Sequence, residues 1–148
     1  MDLENNILNL NNYFDEIKDI NYALTKIDVA YNPKEFPNKY AVGKDLDILV
    51  SAKDYNEIKT ITIKYFKQYP LFKCIIIETN NNFKLRLNEK NKLHYQIDIT
   101  VNNSLIIDRV EKDNYYILSL ETEKKVRLYE IKKNPHKKHH KYWLLDNI

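Results

Sequence analysis

The sequence predicts an α/β (α+β) fold in which a mixed β-sheet is flanked by helices, and three observations carry that expectation. Apolar residues recur three or four apart over residues 3–20 and 52–69, the spacing of one helical stripe. The pattern then changes to strict alternation, the period of a strand, in DLDILV at residues 45–50 and again over residues 93–101. Polar turns at 80–82 and 88–91 separate three short β-prone runs, which implies an antiparallel meander.

In chain order, the first helix is expected over residues 3–20, with Leu3, Ile7, Leu10, Phe14 and Ile17 on its stripe. Residues 22–29 (YALTKIDV) read as a strand, and the two prolines of YNPKEFPNKY make the following segment a loop. Gly43, the single glycine in the chain, ends that loop at a turn that needs a positive φ. Over residues 45–51, Leu46, Ile48 and Val50 face one way, while Asp45, Asp47, Leu49 and Ser51 face the other. A second helix covers 52–69 and stops at Pro70. Strands follow at 74–78, 83–87 and 93–101. In the last of them Leu93, Tyr95, Ile97, Ile99 and Val101 share a face, leaving His94, Gln96, Asp98 and Thr100 on the other. Residues 120–132 read as a helix closed by Pro135, and the basic, aromatic ending NPHKKHHKYWLL reads as a solvated tail.

Composition sets the class. At 148 residues the chain is one domain, 1–148, with the C-terminal helix and basic tail occupying about 120–148. A chain of that length hides roughly 68–70% of its unfolded surface, enough for a proper core. The formal net charge of +3 is too small for a nucleic-acid coat, so charge alone does not point to a nucleic-acid partner. No apolar run approaches the roughly 18 residues of a membrane span, and MDLENNILNL is acidic and polar where a signal peptide is basic and apolar. A cytoplasmic protein is expected. Cys74 is the one cysteine, which excludes disulfides within the chain and multi-thiolate metal sites. It reads as packed core.

The acidic side chains carry the chemistry. Asp45 and Asp47, at i and i+2 on one strand, stand on the same face about 6.5–7 Å apart. Asp98, on a strand of its own, supplies a third carboxylate. Three like charges at one place repel unless a cation neutralises them, and an all-oxygen set suits Mg2+ or Mn2+ shared with substrate phosphates. Lys84 and Arg86 fall on the polar side of their strand if Phe83, Leu85 and Leu87 face the core. They are either phosphate contacts or a solvated strand face.

The order helix, strand, loop, Gly-x-Asp-x-Asp strand, helix and later Asp-bearing strand resembles the nucleotidyltransferase fold of the DNA polymerase β superfamily. The residues that match are Gly43 to Val50 (GKDLDILV) and Gln96 to Ile99 (QIDI), and the resemblance covers residues 22–101. YALTKI before GKDLDILV, and the ending NPHKKHHKYW, are more narrowly similar to small nucleotidyltransferase-like proteins of cell-surface polysaccharide synthesis. The resemblance implies a metal-dependent transfer of a nucleotidyl group from a nucleoside triphosphate to a small hydroxyl- or phosphate-bearing acceptor. It implies catalytic and metal-binding roles for Asp45, Asp47 and Asp98, with magnesium or manganese as cofactor. The family's Gly-Ser or Gly-Gly phosphate motif is replaced here by Thr25 and Lys26, whose hydroxyl and ammonium are expected to contact phosphate as side chains. Gly43, Lys44, Lys84 and Arg86 complete the expected nucleotide- and phosphate-binding set. Two other roles fit the same residues: a nucleotidyltransferase-like antitoxin with a toxin protein as partner, and a non-catalytic nucleic-acid-binding module.

Overall fold

The computed structural model describes residues 8–27, 36–40, 43 and 45–147. In chain order the elements are α1 (Asn11–Glu16), β1 (Tyr22–Thr25), β2 (Asp45–Val50), α2 (Tyr55–Lys67), β3 (Lys73–Glu78), β4 (Asn82–Glu89), β5 (Lys92–Val101), β6 (Val110–Lys112), β7 (Tyr115–Ile117), α3 (Leu120–Lys133) and α4 (His139–Asp146). The strands form one sheet in the order β3-β4-β5-β2-β1-β7-β6. The expected meander is there: β3 pairs antiparallel with β4, and β4 with β5. Lys90 and Asn91 turn β4 into β5 with φ of 51° and 66°, the left-handed pair that a two-residue hairpin needs. Strand β5 then lies parallel to β2, and β1 runs antiparallel to β2 on its other side.

The alternation read from the sequence decides which face is buried. Leu46, Ile48 and Val50 of β2 join Leu24, Leu85 and Ile97 in the main core. Tyr13 and Phe14 of α1 and Ile58 and Phe66 of α2 cover that face. Each such side chain contributes about 1.5–3 kcal/mol by leaving water. On the opposite face only a small apolar cluster forms, from Ala23, Leu49, Ile106 and Leu118 with Val126 of α3. Ile75 and Ile77 of edge strand β3 also lie on that face, level with Arg86 and Lys84, but its central strands β2, β5 and β4 present polar groups there, which is where a site can be built.

Four expectations need correction. The first helix is confined to Asn11–Glu16 within the described residues, and Leu8 lies in an antiparallel bridge to Tyr40 instead. Leu8 and Leu10 are fully buried ahead of the helix, Leu10 as the residue that precedes its first turn, so burial is met there without a helix; Leu3 and Ile7 lie outside the described residues. The first strand ends at Thr25 because Lys26 takes a φ of 56°, which breaks the ladder. Its expected end, Asp28 and Val29, is outside the described residues. The hairpin β6–β7 was not expected from the sequence, because three-residue strands carry too little alternation to register. The basic ending is no solvated tail: residues 139–146 form α4, and His140 is only 3% exposed. Cys74 is half-buried against the main core, as a packed thiol should be.

Core and edge give contrasting mutational outcomes. Leu85→Ala, in the fully buried middle of β4, is expected to cost about 2–5 kcal/mol. Ile76→Ala, 44% exposed on edge strand β3, is expected to cost under about 1 kcal/mol. Denaturant midpoints of the two variants measure the difference.

Candidate functional site

The site is assembled by register. Asp47 of β2 stands level with Asp98 of β5, and on the same rung Thr25 of β1 flanks Asp47 while Lys84 of β4 flanks Asp98. The next rung carries Asp45 beside Gln96, with Arg86 beyond. Adjacent strands are about 4.8 Å apart, so two carboxylates face each other across a single strand spacing. Asn82 fixes one of them, donating to Asp98 Oδ1 at 2.6 Å and to Thr100 Oγ1 at 2.8 Å. Arg86 Nε donates to Gln96 Oε1 at 3.1 Å.

Helix α3 closes one side of this face with a charged stripe. Glu123, Arg127 and Glu130 are spaced i, i+4 and i+7, so they project together. Ser119 starts the helix by accepting from the Thr122 amide. Glu123 accepts from the Thr25 hydroxyl at 2.8 Å, from the Lys26 amide at 2.8 Å and from Arg127 Nε at 2.9 Å. Arg127 is fully buried; it donates to the Ile27 carbonyl at 3.3 Å, lies 3.1 Å from His140 Nδ1, and stacks over the Trp143 ring. The Lys26 ammonium is 3.9 Å from Asp47 and 3.6 Å from Glu130. These contacts lock the end of β1 to α3 and α4.

Between the sheet face and the α3–α4 connection lies a cleft of about 590 Å³. Its floor includes Asp45, Asp47 and Asp98, and its sides include Lys26, Lys84 and Lys137. Burial pushes the Asp47 carboxyl up to about 7; Lys26 pulls it down, and Asp98, Asp45 and Glu130 push it further up. Asp45 is raised by burial and by Asp98, with Arg86, Lys137 and Lys26 opposing. Burial also raises Glu130, but Lys26, Asn134, His140 and Lys133 outweigh it and hold the carboxyl below its ordinary value. One lysine at 3.9 Å is therefore not enough to make the Asp47 charge comfortable.

The structure brings together most of the residues singled out in the sequence. Asp45, Asp47, Asp98, Lys26, Lys84 and Gly43 all line the cleft, and Gly43 has the positive φ of 86° expected of it. Arg86 sits one rung away on the same face, while Lys44 lies outside the described residues. Thr25 is level with Asp47, but its hydroxyl is engaged by Glu123. Among the described residues, no three His, Cys, Asp or Glu side chains converge closely enough to hold a metal ion. Glu123, Arg127 and Glu130 were missed, and Lys137 and His140, which line the cleft, belong to the ending expected to be a solvated tail. The signal that could have found the first three is the polar i, i+4, i+7 stripe in a helix of this fold, where an apolar one belongs. No protein-family model matches the chain, and no curated protein matches it. Nor, among the described residues, is any helix long and apolar enough to cross a membrane.

Two outcomes follow from these charges. Between about pH 4 and 7 the folded, ion-free protein keeps a proton on Asp47 that the unfolded chain has released. Stability therefore falls as pH rises through that window and levels off above it. Asp47→Asn should flatten the profile by on the order of 2 kcal/mol relative to the wild type, measured by denaturation at pH 5 and pH 8. Separately, Arg127→Met leaves Glu123 buried and uncompensated, and is expected to cost about 3–5 kcal/mol. Adding Glu123→Gln to it should restore a large part of that loss, which a double-mutant cycle reads directly.

Proposed function

We propose that the chain is a metal-dependent nucleotidyltransferase, moving a nucleotidyl group from a nucleoside triphosphate to a small hydroxyl- or phosphate-bearing acceptor. One observation supports this most: Asp47 and Asp98 are level on adjacent parallel strands, with Asp45 two residues along on the same face, at the floor of a cleft with lysines on its sides. An acidic floor under basic sides suits an anionic substrate that arrives with divalent cations.

The donor set fits such a cation. All three groups are carboxylates, the hard oxygen ligands that magnesium and manganese take. Burial raises Asp45 and Asp47, so each would gain by meeting more positive charge than Lys26 supplies. Among the described residues the three acids are not gathered closely enough to hold an ion together, and Asn82 donates to Asp98 Oδ1. Asp45, Asp47 and Asp98 would be the holders, and the bound ion would supply the charge that neutralises donor phosphates.

The chain's own residues then do the positioning. Lys84 and Lys137 present ammonium groups to phosphate oxygens from opposite sides of the cleft. Lys26, fixed by Glu123 through its backbone, balances Asp47 and Glu130 instead of reaching outward. Thr25 takes the same structural part, its hydroxyl held by Glu123. The phosphate-holding work thus falls to Lys84 and Lys137, and Asp98 is aligned by Asn82 to receive a proton from the acceptor or to share the cation.

Thermal melts test this reading. Magnesium with the correct nucleoside triphosphate, at about a hundred times its dissociation constant, should stabilise the protein by about 2.7 kcal/mol, a rise of roughly 5–10 °C. Asp47→Asn should lose the rise, and at pH 8, where Asp47 is ionised, it should melt higher than the wild type without ligand because a buried charge is gone. The proposal fails if no triphosphate shifts the wild type, or if Asp47→Asn shifts equally.

A further inference from the structure

A second cavity of about 340 Å³ lies beside the acidic cleft, and Lys26 and Ile27 line both. Its character is different. Phe36, Tyr115, Ile117, Leu118 and Trp143 give it apolar and aromatic sides, and Lys112, Asp113 and Asn147 add a few polar groups. Small-molecule sites have this make-up, a mostly apolar hollow of some 300–1,000 Å³ with a handful of polar atoms that fix orientation. The volume is at the low end of that range, the size of one ring system rather than of a whole nucleotide.

The aromatic side is held in place in advance. Arg127 stacks over the Trp143 ring with its guanidinium carbon 4.6 Å from the centroid, and Arg127 is itself pinned by Glu123 and the Ile27 carbonyl. An indole fixed this way gives up little rotamer freedom when a ring packs on it. The neighbouring turn is fixed as well, because Asp113 takes a φ of 54° to close the β6–β7 hairpin. The side chains that Lys112 and Asp113 offer are exposed at the mouth.

From this we infer that the side cavity binds the uncharged planar base of a nucleoside, stacked on Trp143, while the acidic cleft handles phosphate. The inference rests on the nucleotidyl-transfer reading for its choice of ring. It assigns the two cavities separate duties: one recognises the base without metal, and the other binds the charged portion through cations. Base selection would then lie with Lys112, Asp113 and Asn147, which offer a donor, an acceptor and an amide that does both.

Trp143 is the chain's only tryptophan, so its emission reports the cavity directly. Adenosine, guanosine, cytidine and uridine, titrated without metal, are the probes; at least one should change the emission saturably. That response should survive Asp47→Asn within about twofold, because the base site does not use the carboxylates. Leu120→Asp puts a charge at the cavity mouth, at an exposed first-turn position where a helix accepts an acid, and should weaken the response about tenfold or more. Magnesium with inorganic tripolyphosphate should raise the melting temperature of the wild type and leave the emission unchanged. If no nucleoside alters the emission, or Leu120→Asp responds like the wild type, the base site is wrong, even where tripolyphosphate still stabilises. A nucleoside response without any tripolyphosphate effect keeps the cavity and removes the transfer reaction instead.

Discussion

The parallel pairing of β2 with β5 is the constraint on which the rest depends. It puts Asp47 level with Asp98 and aims both away from a core that Leu46, Ile48, Ile97 and Ile99 fill. Strand side chains alternate with a period of two, so a slip of one residue would bury both acids among those apolar groups. Burying the apolar side of the two strands therefore fixes the acids on the open side. Core and site are set by the same register.

That arrangement leaves negative charge concentrated on one face, and helix α3 answers it unevenly. Lys26 reaches Asp47 but is shared with Glu130, while Arg127 is spent on Glu123 inside the protein. The pair Glu123–Arg127 does structural duty, tying the end of β1 to α3 through hydrogen bonds to Thr25, Lys26 and Ile27, and α3 to α4 through Arg127 against His140 and Trp143. A buried pair of this kind adds little net stability over apolar packing, but it fixes one arrangement because neither partner tolerates losing the other. The result is a rigid rim around acids that remain under-neutralised, and a raised Asp47 expresses that imbalance.

The division of the cleft region into an acidic part and an apolar part follows from the same geometry. Strand β1 ends at Thr25, and the left-handed backbone of Lys26 that follows breaks the ladder. The acidic cleft opens on the side of β2 and β5, and the apolar cavity on the side of the β6–β7 hairpin. Lys26 and Ile27 belong to both. The two environments are thus adjacent without mixing, which lets a polar ligand group and an apolar one be recognised by different physics.

Much of this was legible in the residues themselves. Alternation in DLDILV and in the 93–101 run named the strands, their inward faces and the three acids on the outward face, because burial on one side of a strand imposes a period of two. The same alternation placed Lys84 and Arg86 opposite Phe83, Leu85 and Leu87. Sequence pattern could not show that β5 returns to lie beside β2, since pairing between strands more than forty residues apart is settled by the packing of whole elements. Nor could it show that His140 and Arg127 are interior. Charged and imidazole side chains read as solvated until a partner from elsewhere in the chain meets them, and only the tertiary structure brings Glu123, Arg127 and His140 together. The sequence by itself determined which side chains face outward along each strand, through the short-range rule of the pleat. The tertiary structure alone decided which outward residues become neighbours, because that depends on long-range contacts that no local period encodes.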